Sequence, residues 1–503
     1  MASAGPPGRT DRGTCGEVVM IVRDLRVLRG LTLALVAIGG MVFAQDRPNR
    51  SQPPALGPPP QLNLPAIAKR SLGNGLAVWV VEAHEVPIVQ LSVVVRAGGD
   101  DDPAGKFGTA SLTAAMLDEG AGTRSALEIA DAVEFLGASL TTTSSYDASA
   151  IRLNVPVQRL NEALPLLADV ALRPTFPDKE IERLRQERLT ALLQARDDAA
   201  SIAGMAFARI VFGPDHRYGT GLIGTETSLK TLTASDLRTF HTSYYQPPNT
   251  TLLVVGDTTP DAVTAQLEKF FGEWRPASPP GRDIVAPLAP QLRDRQVYLV
   301  DKPDAEQSQI RIGAVGVPRS TPDYFPLIVL NTVLGGSFTS RLNQNLREEH
   351  GYAYGASSAF DARLSAGPFV AAAGVQTDKT GEAVSEFFKE LNGIRMPVPA
   401  DELAKAKNYI ALSFPSEFEA TTDLSRRLEE LVVYRLPDDY FERYVANVMA
   451  VTTESVRGAA DKYIQPSRLA VVVVGDRKTI EPGVRALNLG PVRVMTVEEA
   501  LAP

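Results

Sequence analysis

The residues in this 503-residue sequence best placed to do chemistry lie in Leu334–Gly355, LGGSFTSRLNQNLREEHGYAYG. The stretch reads as a glycine turn, an amphipathic helix carrying Arg341 and Arg347, a break at Gly351, and a strand opening with Tyr352 and Tyr354. A guanidinium and a phenolic hydroxyl can both donate hydrogen bonds to a carbonyl oxygen that gathers charge during a reaction. A plainer account of the same residues is also physical. Arg347 near a helix C-terminus favours the macrodipole, and Tyr354 suits a half-buried strand position. Strand alternation would send Tyr352 and Tyr354 to the same face, and Arg341 reads as a structural ion-pair residue.

Other chemistries find little support. The histidines are His84, His216, His241 and His350, and no two have the i, i+4 or H-x-H spacing that brings imidazoles to one metal. No G-x-S-x-G motif marks a nucleophilic serine. The only cysteine, Cys15, falls in a segment read below as a signal, so the mature chain is expected to hold no thiol, disulfide or Cys-ligated metal.

The positioning elements are legible in order. LAVWVV (Leu76–Val81), VQLSVVV (Val89–Val95) and TTLLVV (Thr250–Val255) are strand patterns, and Ser139–Val155 holds two more, rich in Thr, Ser and Tyr. Helix patterns cover Ser111–Leu117, Ala126–Leu136, Val157–Leu172 and Ala262–Phe271, and Pro177-Asp178 opens a long one with Ile181, Leu184, Leu189 and Leu192 on one face. The chain then starts again. Gln246-Pro247 and Gly256-Asp257 recur as Gln465-Pro466 and Gly475-Asp476, each displaced by 219 (465 − 246, 475 − 256). The same offset lays Val78–Val81 on Val297–Val300 and Ser111–Leu117 on Leu330–Gly336. These landmarks predict a duplicated α+β domain with mixed strands and helices.

The expected boundaries are 65–274 for the first domain, 275–292 for a linker with five prolines in RPASPPGRDIVAPLAP, and 293–490 for the second domain. Upstream, Arg23, Arg26 and Arg29 precede an apolar run ending at Val42-Phe43-Ala44, the pattern of a secretory signal cleaved after Ala44, with Met20 a possible true start. That run is shorter than the roughly 20 residues a membrane span needs, so export rather than a stable anchor is expected, and a periplasm suits a protein without disulfides. Residues 45–64 read as a disordered tether. With 51 basic against 59 acidic residues and a net charge of -8, no nucleic-acid-binding surface is advertised.

At these landmarks the sequence resembles the pitrilysin/insulinase family of metallopeptidases. The resemblance rests on NGLAVWVVE, FPDKEIERLRQE, HTSYYQPPNTTLLVVGD, the Pro-rich linker, and LGGSFTSRL with LREEHGYAYG. It implies two homologous domains, each a mainly antiparallel sheet with helices packed on it, forming half of a clam shell. Catalytic members carry HxxEH, two zinc ligands and a general base on one helix face. This chain reads GTASLTAAM from Gly108 to Met116, with Ser111 and Ala115 at the histidine positions and Ala114 at the glutamate. The third ligand's place falls at Thr190 or Ala191, with no carboxylate nearer upstream than Glu187.

The resemblance therefore implies a subunit without its own metal or other cofactor, resembling the Arg/Tyr-bearing half of bacterial heterodimers and the alpha subunit of mitochondrial processing peptidase. Arg347 and Tyr354, seven apart as in the family, would contact peptide substrate beside the zinc of a partner subunit carrying HxxEH, and Gly335-Gly336-Ser337 would be the glycine loop beside the substrate. The alternative is a non-peptidase structural or peptide-holding protein of the same fold. A self-contained hydrolase using other residues is the third reading.

Overall fold

A computed structural model describes residues 62–276 and 291–502, with Gly57 and Ala289 besides. The expected signal, nearly all of the tether and most of the linker lie outside the described residues. The first sheet is built from β1 (Ala68–Ser71), β2 (Ala77–Glu82), β3 (Ile88–Val95), β6 (Ser139–Ser144), β7 (Ser149–Pro156) and β8 (Thr250–Gly256), while β4 (Gly120–Ala121) and β5 (Arg124–Ser125) form a small separate hairpin. The second comprises β9 (Gln296–Asp301), β10 (Gln307–Val315), β11 (Ala353–Phe360), β12 (Pro368–Gln376), β13 (Ala470–Gly475) and β14 (Val492–Met495).

The two sheets repeat one topology. The first runs β1-β2-β8-β3-β7-β6, and the second, read from its far end, runs β14-β9-β13-β10-β12-β11. The 219-residue offset holds for three of the strand pairs: 296 − 77 for β9 over β2, 307 − 88 for β10 over β3, and 368 − 149 for β12 over β7. Only the outermost strand differs. β1 pairs antiparallel with β2, whereas β14 comes from beyond residue 490 and pairs parallel with β9, so the second sheet runs past the boundary read from sequence.

One face of each sheet carries its own helices. In the first half these are α1 (Thr109–Ala115), α2 (Leu160–Leu172), α3 (Asp178–Ala195) and α5 (Ala234–Tyr244), whereas α4 (Ala199–Phe212) packs elsewhere. Val78, Val80, Leu91 and Val93 pack there with Leu112, Leu164 and Leu237. On α3 only Ile181 is buried, and Leu184, Leu189 and Leu192 are half-buried against the same core. The second half repeats the arrangement with α6 (Tyr324–Leu334), α7 (Thr380–Gly393), α8 (Ala400–Ser413) and α10 (Thr453–Tyr463), and here α9 (Thr421–Tyr434) packs elsewhere.

The opposite faces are covered by exchange. Strands buried on both sides carry near-continuous apolar runs, and in β3 and β8 nearly every residue is buried. Val81, Val94, Leu253 and Val255 of the first sheet are sealed by Leu424, Leu428 and Leu431 of α9, from the second half. Reciprocally, Ile202, Ala206 and Phe207 of α4 seal Tyr298, Val300, Val472 and Val474 of the second sheet. Polar links reinforce the first seam, where Ser92 and Ser425 share a hydrogen bond of 3.0 Å and Arg152 Nε donates to Glu429 Oε1 at 2.7 Å.

Candidate active-site remnant

The segment bearing Arg347 is not the plain amphipathic α-helix expected. A single α-turn, Arg341–Asn343, widens into a π-helix over Gln344–Glu349, a form concentrated at functional sites. Leu342 and Leu346 anchor it in the core. Asn343 Oδ1 accepts from the Ala356 backbone N–H at 3.0 Å, and Asn345 Nδ2 donates to Glu386 and Glu390 at 2.8 Å each, so the two asparagines hold the turn to different neighbours. Gly351, at φ +64°, then reverses the chain into β11. Arg341 pairs with both carboxylate oxygens of Glu402, at 2.8 and 2.6 Å, which is the structural role read for it.

Arg347 lies half-buried between two exposed rings. Its guanidinium sits 4.3 Å from the Phe338 centroid and 5.3 Å from that of Tyr354, and its Nε is 3.3 Å from Glu348 Oε1. Tyr354 is 90% exposed and Phe338 65%, so the half-buried reading of Tyr354 fails. The shared face expected for Tyr352 and Tyr354 fails too. β11 begins only at Ala353 and its register shifts between Ala353 and Ala356, so Tyr352 instead stacks on His350 and packs against the core.

The glycine loop holds this edge in place. Gly335 is buried, its carbonyl accepts the Ser358 N–H at 3.2 Å, and a Cβ there would stand 2.3 Å from the Ser358 nitrogen. Close approach of β11 therefore requires glycine at this position. Gly336 is exposed and Ser337 half-buried, beside Phe338. The Ser337 hydroxyl donates to Thr332 O at 3.1 Å.

The degenerate motif lies on α1. Asp102 holds the start of this helix, accepting the backbone N–H groups of Gly108 at 2.6 Å and Ala110 at 2.7 Å, and burial pushes its carboxyl up to about 7. Ser111 and Ala115 are half-buried and Ala114 buried, while Thr190 and Ala191 are exposed on α3. Arg188, one helical turn before Ala191, reaches into this place. Its Nη2 donates to Ser111 O at 2.9 Å, its Nη1 is buried with no hydrogen-bond partner among the described residues, and burial lowers its pKa to about 10. A zinc site needs imidazole, thiolate or carboxylate donors. These positions offer a hydroxyl, methyl groups and a fixed cation, and the residues present do not fit the metal.

The histidines serve elsewhere. His84 is held between Asp257 (2.7 Å) and Glu82 (3.2 Å), whose hydrogen bonds raise its pKa. His241 is half-buried against the Ala171 carbonyl at 2.9 Å, and desolvation of its ring pushes it down to about 4. His216 Nδ1 accepts the Tyr218 N–H at 3.0 Å. Among the described residues no group of three or more His, Cys, Asp or Glu is placed to hold a metal ion.

Two contributors escaped the sequence reading. Phe338 was visible inside LGGSFTSRL, but its stacking on Arg347 depends on the glycine turn. Arg188 could have been suspected from its i, i+3 spacing to Ala191, which puts both on one face of α3.

Comparison with known proteins bears directly on this arrangement. Residues 77–204 match the family model described as Insulinase (Peptidase family M16), and residues 231–410 that of the Peptidase M16 inactive domain. An uncharacterized zinc protease of Mycobacterium tuberculosis is 30% identical over 301 residues, 59% of this chain and 68% of that protein. One from Bacillus subtilis is 24% identical over 397 residues, 78% of this chain and 95% of its own. Among solved structures, a peptidase M16 inactive domain from Pseudomonas fluorescens superposes with TM-score 0.76 at 25% identity, covering 81% of this chain and 98% of its own. A protease from Helicobacter pylori gives 0.74 at 21% identity, covering 82% and 100%, a likeness of fold. With a duplicated sheet, a motif helix stripped of its ligands and these relatives, the chain belongs to the insulinase family, peptidase family M16, as a member whose metal-binding positions are lost.

Proposed function

We propose that this chain is the zinc-less subunit of a heterodimeric, exported peptidase, working in a periplasm with a partner chain that carries HxxEH. The observation that carries the reading is Tyr354, 90% exposed with the Arg347 guanidinium 5.3 Å from its ring. A large aromatic left in solvent beside a cation has no folding role to explain it. In a shared chamber the two side chains would donate hydrogen bonds to a substrate carbonyl as its oxygen gains charge, a contribution worth roughly 10²–10³ in rate for one donor. Peptide would bind extended, pairing with a sheet edge. Here β11 already has the N–H groups of Ala356 and Ser358 engaged by Asn343 and Gly335, whereas β6 ends its sheet with no neighbour on its outer side among the described residues.

The experiment is co-expression with an HxxEH-bearing family member from the same genome, followed by co-purification and peptide cleavage. A stable pair that cleaves peptide, against an isolated chain that does not, is the expected result. A chain that never pairs, or a pair whose activity equals that of the HxxEH chain alone, overturns it in favour of the peptide-holding alternative.

A further inference from the structure

A pocket of about 510 Å³ lies outside the Arg347 site, between the end of α3, the outer face of α4 and the loop that follows it. While Ile202, Ala206 and Phe207 of α4 are buried against the second sheet, Met205, Ala208 and Arg209 line this pocket, with Leu192 and Arg196 of α3 opposite. It is open space, since a Cβ added at Gly204 or Gly221 in its wall would meet nothing within 4 Å.

One cation of the lining has no protein partner among the described residues. The guanidinium of Arg209 is half-buried, and burial lowers its pKa, yet it makes no hydrogen bond or ion pair among the described residues, Asp215 being the only acid whose field it feels. Arg196, by contrast, is paired with Glu226 at 3.1 Å, and Lys230 holds the same carboxylate at 2.6 Å. Thr220 is 7% exposed, and its Oγ1, though unpartnered, is sealed from the pocket. Partly desolvating a cation without a partner is destabilising. A carboxylate would satisfy Arg209, because it accepts charge-assisted hydrogen bonds from a guanidinium. Leu192, Met205, Ala208 and Leu501 give the wall an aliphatic part, beside Tyr146, Thr225, Thr227 and Glu226, whose carboxylate is already held by Arg196 and Lys230. An apolar cavity with a few convergent polar groups is the usual make-up of a small-ligand site.

We propose that this pocket binds a carboxylate borne on an apolar chain, the carboxylate accepting hydrogen bonds from Arg209 and the chain lying against Leu192, Met205 and Ala208. A peptide C-terminus and a small aliphatic acid share this chemistry. The site does not depend on a partner subunit, so it stands or falls separately from the proposed function.

The test is calorimetric titration of the isolated chain with three probes: N-acetyl-Ala-Ala-Leu as the free acid, the same peptide as its C-terminal amide, and isovalerate. The free acid is expected to bind at least tenfold more tightly than the amide, with affinity falling as salt rises. Arg209→Met should remove that preference with the melting temperature unchanged. Isovalerate binding as tightly as the peptide acid would identify a small acid as the ligand, and weaker binding would identify a peptide end. Equal binding of acid and amide, no binding of any probe at 10 mM, or undiminished preference in a folded Arg209→Met protein would overturn the proposal.

Discussion

The assignment of Arg347 and Tyr354 can be tested because the structure separates their effect on activity from any effect on folding. Tyr354 is 90% exposed, so Tyr354→Phe should alter stability by no more than about 0.5 kcal/mol. Arg347→Ala removes contacts to the rings of Phe338 at 4.3 Å and Tyr354 at 5.3 Å, worth roughly 0.5–1 kcal/mol each at exposed sites. The Glu348 pair at 3.3 Å adds less than about 1 kcal/mol. Together these predict a melting-temperature decrease of only a few degrees for a fold of this size. In the reconstituted pair, each substitution should lower kcat by about 10²–10³, or roughly 3–4 kcal/mol of barrier. Scanning calorimetry and peptide cleavage, measured on the same preparations, decide the matter. Unchanged cleavage by both variants would refute the role, as would a drop of ten degrees or more in melting temperature matching the loss of activity.

Three further perturbations follow from the geometry. Grafting Ser111→His, Ala114→Glu, Ala115→His and Ala191→Glu should leave zinc binding weak while Arg188 remains, and adding Arg188→Leu should strengthen it more than tenfold by equilibrium dialysis; equal affinities would show that the guanidinium does not oppose the metal. The Asp102 carboxyl, at about 7 in the folded chain and ordinarily near 3.8, keeps a proton that the unfolded chain has lost between those pH values. Its contribution to stability should therefore fall by on the order of 1 kcal/mol per pH unit as pH rises from 4 to 7, and Asp102→Asn should lack that slope in denaturant titrations at several pH values. Leu428→Ala, which empties a buried site where α9 meets the first sheet, should destabilise the whole described fold by about 2–5 kcal/mol in one transition; a first half that melts separately would contradict the exchange.

How much of this was legible beforehand depended on whether the signal was local. LAVWVV, VQLSVVV and TTLLVV announced central strands because residues buried on both faces must be apolar throughout, and the shared offset placed their counterparts in the second half. The missing ligands at Ser111, Ala114 and Ala115 were visible because a metal motif is a fixed local spacing. The exchange of α4 and α9 left no such trace, since an amphipathic helix shows which residues it buries but not against which sheet. Tyr354 was ambiguous because alternation presumes an unbroken strand, and the register shift in β11 is set by Asn343, Gly335 and their tertiary contacts. Arg209 looked like any other surface arginine, because a half-buried cation without a partner is defined only by what surrounds it.

The reciprocal covering of the sheets also sets a schedule for synthesis. Val255, the last of the strand residues that α9 seals, precedes the start of that helix at Thr421 by 166 residues (421 − 255). At the usual pace of 5–20 residues per second, the apolar back of the first sheet waits roughly 10–30 s for its cover. Until then the growing chain carries an unshielded hydrophobic surface ready to stick to others of its kind. A holding chaperone, or delayed pairing of the strands themselves, is thus a requirement of this architecture during its manufacture.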